Sequence, residues 1–251
     1  MSSPVAAAPD SCVRLAMWSG PRNISTALMR SWENRNDCSV VDEPLYAHYL
    51  AETGIEHPGR DAVIEAGETD WRKVVAALVG PVPRGARIHY QKHMAHHLLL
   101  HIDRSWLSQL LNVLLIRDPV DVLASYRRAR AQLEPADLGV LQQRELYTHL
   151  GNLGTPPPVI DAADFLGNPG AHLEWLCDAA GVTFTTAMLS WSPGPRDSDG
   201  VWGPYWYDAV LASTGFTPYQ SHPSDLEPDE AAVVGACRPA YDDLADVRLR
   251  L

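Results

Sequence analysis

The sequence predicts an α/β fold of three layers, a central, mostly parallel sheet flanked by helices. Three observations carry the prediction. Short apolar runs at 13–18 and 112–117 read as buried strands. Each is followed, across a polar loop, by a stretch with helical spacing of its apolar residues. No repeat, low-complexity block or linker divides the chain. Strands that alternate with helices are joined by right-handed crossovers and so run parallel. Ligands of such sheets sit beyond the C-terminal ends of the strands.

The elements follow in order. Residues 1–10 (MSSPVAAAPD) read as a flexible tail, and 11–251 as a single domain. After the strand at 13–18, Gly20-Pro21 turns the chain into a helix from about 25 to 35. A second strand at 39–42 ends at Glu43-Pro44, and 45–80 reads as helical with a polar break, GIEHPGRD. Residues 87–92 alternate as a strand does, and 93–101 then starts a helix. The strand at 112–117 leads to Pro119, suited to the first turn of a helix, which continues through 121–131. Helix runs through much of 135–152 and stops at TPPP, before a short strand at 159–161. Residues 172–180 read as a helix that Gly181 ends. Residues 192–207 form an irregular segment rich in Pro, Gly and aromatics, and the last helix spans about 227–246.

At 251 residues the chain has room for one large domain with a substantial core. Its 46% hydrophobic and 20% charged content is ordinary for a globular protein. The apolar runs are too short to span a bilayer, and the N-terminus lacks the pattern of a secretory signal. Cys12, Cys38, Cys177 and Cys237 are scattered, with neither metal spacing nor a disulfide framework, so a cytoplasmic location is expected. The net charge of −11 argues against a nucleic-acid partner but allows an anionic small molecule where positive charge is concentrated locally. Only Lys73 and Lys92 are lysines, against eighteen arginines, which singles out Lys92 at a predicted strand end.

The stretch 113–126, VLLIRDPVDVLASY, places Arg117 at the end of a strand and Ser125 eight residues on, two turns into the helix. A phosphate there takes charge-assisted bonds from the guanidinium and one more from the hydroxyl. Upstream, SGPRNISTALMRS (19–31) also turns from strand to helix. N–H groups at about Asn23, Ile24, Ser25 and Thr26 then point outward at a positive helix end, with hydroxyls from Ser25 and Thr26 and charge from Arg22. This is the logic of a P-loop, yet GxxxxGK[ST] is absent and no lysine precedes Ser25, which disfavours magnesium-dependent ATP hydrolysis. A helix cap beside a surface arginine is the simpler alternative for this loop.

Taken together, PRxxSTAL after one strand and RDPxxxxxS after a distant one resemble the sulfotransferases that use 3′-phosphoadenosine 5′-phosphosulfate (PAPS), which have a P-loop-type fold. RDPxxxLAS, and Asp42-Glu43-Pro44-Leu45 with Glu43 standing 21 residues after Arg22, resemble the carbohydrate-type branch. Residues 159–184 resemble the family's following strand and helices, so the likeness covers most of 13–190. Two positions depart from the pattern: Arg22 stands where lysine is common, and Ile24 where glycine is. The resemblance implies that the loop Arg22, Asn23, Ile24, Ser25 and Thr26 grips the 5′-phosphosulfate, that Arg117 and Ser125 grip the 3′-phosphate, and that PAP is the product.

It also implies a division of labour. Arg22 and Lys92 stabilise the bridging oxygen and the leaving nucleotide, while a base takes the acceptor's proton. Glu43 resembles the glutamate base of some carbohydrate-type members; an ion pair with Arg22, or a cap on the helix at Tyr46, is its structural alternative. His93 or His96 is the second proposal, because imidazole titrates near neutral pH, although the family's histidine position is Met94 here. Glu43 as base with His93 in support is the expectation. His97 and His101 have the spacing of a metal-ligand pair, but the family needs no metal. Trp202, Tyr205, Trp206 and Tyr207 are expected to wall an acceptor site, with Arg196 meeting an anionic group, or else to pack the core. The expected partner is a small-molecule acceptor with a hydroxyl or amine, with no nucleic acid and no membrane, and a homodimer is left open. The rival readings are a P-loop small-molecule kinase and a nucleotide-binding protein that has lost catalysis.

Overall fold

The computed structural model describes residues 12–127, 133–221 and 226–251. The tail expected at 1–10 and residues 128–131 of the helix expected through 121–131 lie outside them. Among the described residues five strands form one sheet: β1 (Val13–Ser19), β2 (Cys38–Asp42), β3 (Ile88–Met94), β4 (Leu111–Ile116) and β5 (Val159–Asp161). Their order is β2-β3-β1-β4-β5 and every pairing is parallel, with Met17 beside both Lys92 and Val113. All five C-terminal ends therefore lie along one edge, and the loops that leave them share that edge.

Both faces of the sheet are covered, which is why its central strands read as unbroken apolar runs. Leu15, Met17, Tyr90, Val113 and Leu115 pack on one side with Leu28, Met29 and Trp32 of α1 (Ser25–Glu33). Ala16, Trp18, Leu114 and Ile116 pack on the other side. Their partners include Val74 and Leu78 of the helix at Trp71–Val79, Leu146 and Leu150 of the helix at Val140–Asn152, and Leu244 of the last helix, Pro228–Asp246. Helix–sheet–helix is the three-layer order that the sequence predicts.

Several local expectations change. The region 45–80 is three helices, Tyr46–Thr53, Arg60–Ala66 and Trp71–Val79; Gly54 and Gly59, left-handed at φ 64 and 74, bound the first break, and the second begins at Gly67. No helix forms at 93–101. His93 and Met94 extend β3 in register with Trp18 and Ser19, and only a single 3₁₀ turn, Ala95–His97, follows. Pairing with β1 outweighs the weak local preference for helix. Residues 192–207 are irregular up to a short helix, Gly203–Trp206, and a second short helix, Asp208–Leu211, follows. Among the described residues no helix is long and apolar enough to cross a membrane.

Candidate active site

One cleft of about 670 Å³ opens at the C-terminal edge of the sheet, and loops from four strands meet in it. The first leaves β1. Its Gly20 lies so close to the backbone of the 3₁₀ turn Pro135–Leu138 that a Cβ there would run into the Leu138 carbonyl oxygen. Arg22 then takes the left-handed φ of 52. The Asn23 side chain donates to the Leu115 carbonyl at 3.0 Å and accepts from the Ile24 N–H at 2.8 Å, pinning the loop to β4. Helix α1 starts at Ser25 with no side-chain cap among the described residues, so its first N–H groups face the cleft as donors.

The second loop leaves β4. Asp118 caps the helix at Pro119–Tyr126 by accepting from the Val120 N–H at 2.8 Å, with Pro119 in the first turn. Arg117 donates to the Arg22 carbonyl at 2.7 Å, while Arg22 Nε donates to Ser125 Oγ at 3.1 Å. The two loops are thus bonded to each other although 95 residues separate Arg22 from Arg117. Arg117 Nε is buried with no hydrogen-bond partner among the described residues. Arg22, Asn23, Ile24, Ser25, Thr26, Arg117 and Ser125 all line the cleft.

Beyond them lies Lys92, 1% exposed. Its Nζ donates to Asp42 Oδ1 at 2.8 Å, Glu43 Oε1 at 2.6 Å and the Tyr207 hydroxyl at 2.7 Å. Burial works against the Lys92 charge, but Asp42 and Glu43 outweigh it and hold its pKa well above the ordinary value. Burial raises the Glu43 carboxyl, opposed by Lys92 and reinforced by Asp42. The Glu43 carbonyl accepts from the Tyr46 N–H at 2.9 Å, but its carboxylate does not cap that helix, whose N-cap makes no side-chain bond among the described residues. The partner of that carboxylate is Lys92.

The histidines sort by strand alternation. Lys92 and Met94 face the cleft, so His93 faces the other way. Its ring stacks on Trp18 at 4.1 Å and meets Gln91 Oε1 at 3.2 Å. Burial lowers its pKa to about 3. The expectation that His93 supports the base is corrected on this geometry. His96 and His97 do line the cleft, and His97 Nδ1 lies 4.0 Å from Glu43 Oε2. Burial, with His96 and His57 nearby, keeps His97 neutral by pushing its pKa well below the usual range. His101 does not pair with His97; its Nε2 lies 3.1 Å from that of His48.

Of the aromatic segment, Trp206 and Tyr207 reach the cleft. Trp202 donates to the Tyr207 hydroxyl at 2.9 Å, and Tyr205 is 52% exposed. Arg196 does not face an acceptor: it bonds Glu33 at 2.6 Å and Asn34 at 3.2 Å, anchoring the segment to α1. Tyr46, His57, His97 and Tyr126 also line the cleft without having been singled out in the sequence for it. The arrangement pairs an anion cradle with a buried ammonium, a carboxylate able to take a proton and an aromatic wall. That set suits transfer of an anionic group to a neutral acceptor.

The family model described as sulfotransferase domain matches residues 13–245. The chain is 36% identical over 231 residues to branched-chain-amino-acid aminotransferase-like protein 2 of Arabidopsis thaliana, and 36% identical over 228 residues to protein 1 of that name. These matches take in 90% of this chain, which spans about 40% of the length of the curated plant relatives. Among solved structures, the sulfotransferase domain of the Synechococcus PCC 7002 olefin synthase superposes with a TM-score of 0.51 at 16% identity, covering 94% of this chain and 98% of that one. A mouse sulfotransferase complexed with PAP gives 0.54 at 13% identity, covering 93% and 85%. The likeness to these two structures is one of fold.

Proposed function

The chain belongs to the sulfotransferase domain family, and from that premise we propose that it transfers a sulfuryl group from PAPS to a hydroxyl or amine of a small-molecule acceptor. The carrying observation is the bond from Arg117 to the Arg22 carbonyl, which joins two anion-binding loops in one cleft with Lys92 and Glu43. The residues fit such a donor: among the described residues α1 has no side-chain cap on its first N–H groups and the buried Arg117 Nε has no hydrogen-bond partner. PAPS supplies the activated sulfuryl group and leaves as PAP.

Arg117 and Ser125 bind the 3′-phosphate, and the loop from Arg22 to Thr26 binds the phosphosulfate end. Arg22 and Lys92 neutralise charge that builds up on the leaving side. Glu43, raised by burial, accepts the proton of the acceptor's hydroxyl or amine. The His and aromatic side chains opposite exclude water and shape the acceptor space.

The lysines of this chain do not support the aminotransferase chemistry that the name of the plant relatives suggests. Aminotransferase chemistry needs a lysine amine as nucleophile. Lys92 is held charged between two carboxylates, and Lys73 lies in a surface ion pair with Glu68 at 3.4 Å. A kinase reading meets the missing lysine before Ser25.

Calorimetric titration with PAP, with AMP and ATP as controls, tests the proposal. PAP is expected to bind about tenfold or more tightly than AMP, and Arg117→Ala to weaken it by a similar factor, the size of one or two charge-assisted bonds. Equal binding of ATP and PAP would replace this reading with the kinase one.

A further inference from the structure

Two neighbouring carboxylates converge on one ammonium, which an extended strand does not permit, because successive side chains point to opposite faces. Asp42 is the last residue of β2. Glu43 joins it on the same side because its backbone turns left-handed, at φ 39. For a residue with a Cβ that conformation is strained. The strained residue is thus what places both carboxylates on Lys92.

The resulting cluster is closed. Three N–H donors of Lys92 meet three acceptors: Asp42, Glu43 and Tyr207. The Tyr207 hydroxyl donates to Asp42 Oδ2 at 2.6 Å and accepts from both Lys92 and Trp202. Asp42 Oδ2 also accepts from the Gly200 N–H at 3.3 Å. Lys92 therefore has no donor left for a substrate until one bond is released. Glu43 and Tyr207 line the cleft, whereas Asp42 is buried behind them.

We propose that Asp42 and Tyr207 are positioning residues: they anchor Lys92, charged and in place, so that Glu43, on taking the acceptor's proton, frees one ammonium N–H for the reacting group. The proton that leaves the acceptor ends on Glu43 Oε, and the Lys92 N–H that Glu43 gives up turns to the leaving side. Asp42 remains the counter-ion throughout, so the ammonium is never left bare in a buried site. The charged and titratable groups facing Glu43 are Lys92 from β3, Asp42 from β2, His97 from the turn at 95–97, Tyr46 from the helix it begins, and Tyr207 from the aromatic segment. This inference rests on the sulfotransferase reading for what the freed N–H meets, but not for how Glu43 titrates.

The experiment is the titration of Glu43, followed by carboxyl infrared or ¹³C NMR, in wild type and in Asp42→Asn, together with the pH profiles of both. Removing the Asp42 charge leaves Lys92 to act on Glu43 alone. The Glu43 pKa is expected to fall by about one unit, and the acid limb of kcat to move down with it. Turnover is expected to drop about tenfold or more, while the donor KM and PAP binding stay within about twofold. Tyr207→Phe, which keeps the ring over Lys92, is expected to lower kcat with the same unchanged KM, and it decides the question if Asp42→Asn does not fold. An unmoved Glu43 titration in folded Asp42→Asn, or full turnover in Tyr207→Phe, overturns the anchor. Failure of wild type to bind PAP removes the sulfotransferase reading instead and leaves the Glu43 titration to test the anchor by itself.

Discussion

Glu43 and His93 show what a single residue of register does. The alternation of β3 decides which histidine meets the cleft: Lys92 faces it, so His93 cannot, and His97 enters from the turn beyond. Reading 93–101 as a helix loses that parity, because helical spacing groups residues by three and four rather than by two. Arg22, Arg117 and Ser125 were legible for a different reason, since they belong to two strand–loop–helix segments whose pattern is local, and Lys92 stood out near a strand end. The bond that ties Asp42 to Tyr207 was not legible, because it spans 165 residues. Glu43→Gln tests the role given to the carboxylate. The amide keeps the size and the contact with Lys92 but cannot take a proton at neutral pH, so kcat is expected to fall by about 10²–10⁴-fold. PAP affinity, measured by calorimetry, is expected to change little. Turnover near the wild-type level in Glu43→Gln would assign the base elsewhere, with neutral His97 next in line.

At the scale of elements, strand β1, the loop after it and helix α1 form one unit whose shape depends on a distant turn. Gly20 meets the backbone at Leu138, and Gly139, at φ 77, approaches Gly20 so closely that neither position has room for a Cβ. The loop after β1 is therefore braced from outside its own sequence. Gly20→Ala forces the Leu138 carbonyl or the loop to move, at a cost of about 1–3 kcal/mol. That corresponds to a loss of roughly 2–12 °C in Tm for a domain of this size. PAP binding is expected to weaken as well, since the N–H groups of residues 23–26 lose their alignment. Unaltered affinity alongside a lowered Tm would show that the loop holds its shape without the brace. The same dependence explains which elements the sequence disclosed. The five strands and the long helices follow from periodicity and local caps. Residues 192–207 are fixed instead by remote partners, Asp199 on Arg30 at 2.6 Å and Arg196 on Glu33 at 2.6 Å, and no local pattern encodes them.

For the molecule as a whole, the core holds histidines that must stay neutral. His93, His89 and His97 are all buried, and burial lowers the pKa of each, that of His93 to about 3. The unfolded chain protonates such rings near 6.5, whereas the folded chain resists until far lower pH. Between those limits the unfolded state binds more protons, so stability falls as the pH drops through the interval and is fully present only above it. Glu43 and Asp161, whose pKa values burial raises, act in the opposite sense: the folded state takes up their protons first, which relieves the cost of keeping them charged. Their effect is confined to the window between their raised values and the ordinary carboxylate range, whereas the His93 interval extends from 6.5 to about 3. At about pH 5, His93 alone removes roughly 2 kcal/mol, equivalent to some 4–8 °C in Tm for a domain of this length. The Tm is therefore expected to drop by about that much through His93 between about pH 7 and pH 5. His93→Phe keeps a ring against Trp18 and has no proton to bind, so its curve is expected to be flatter over the same range. A Tm independent of pH in the wild type, or an equal slope in His93→Phe, would mean that the ring beneath Trp18 is not what makes the fold acid-sensitive.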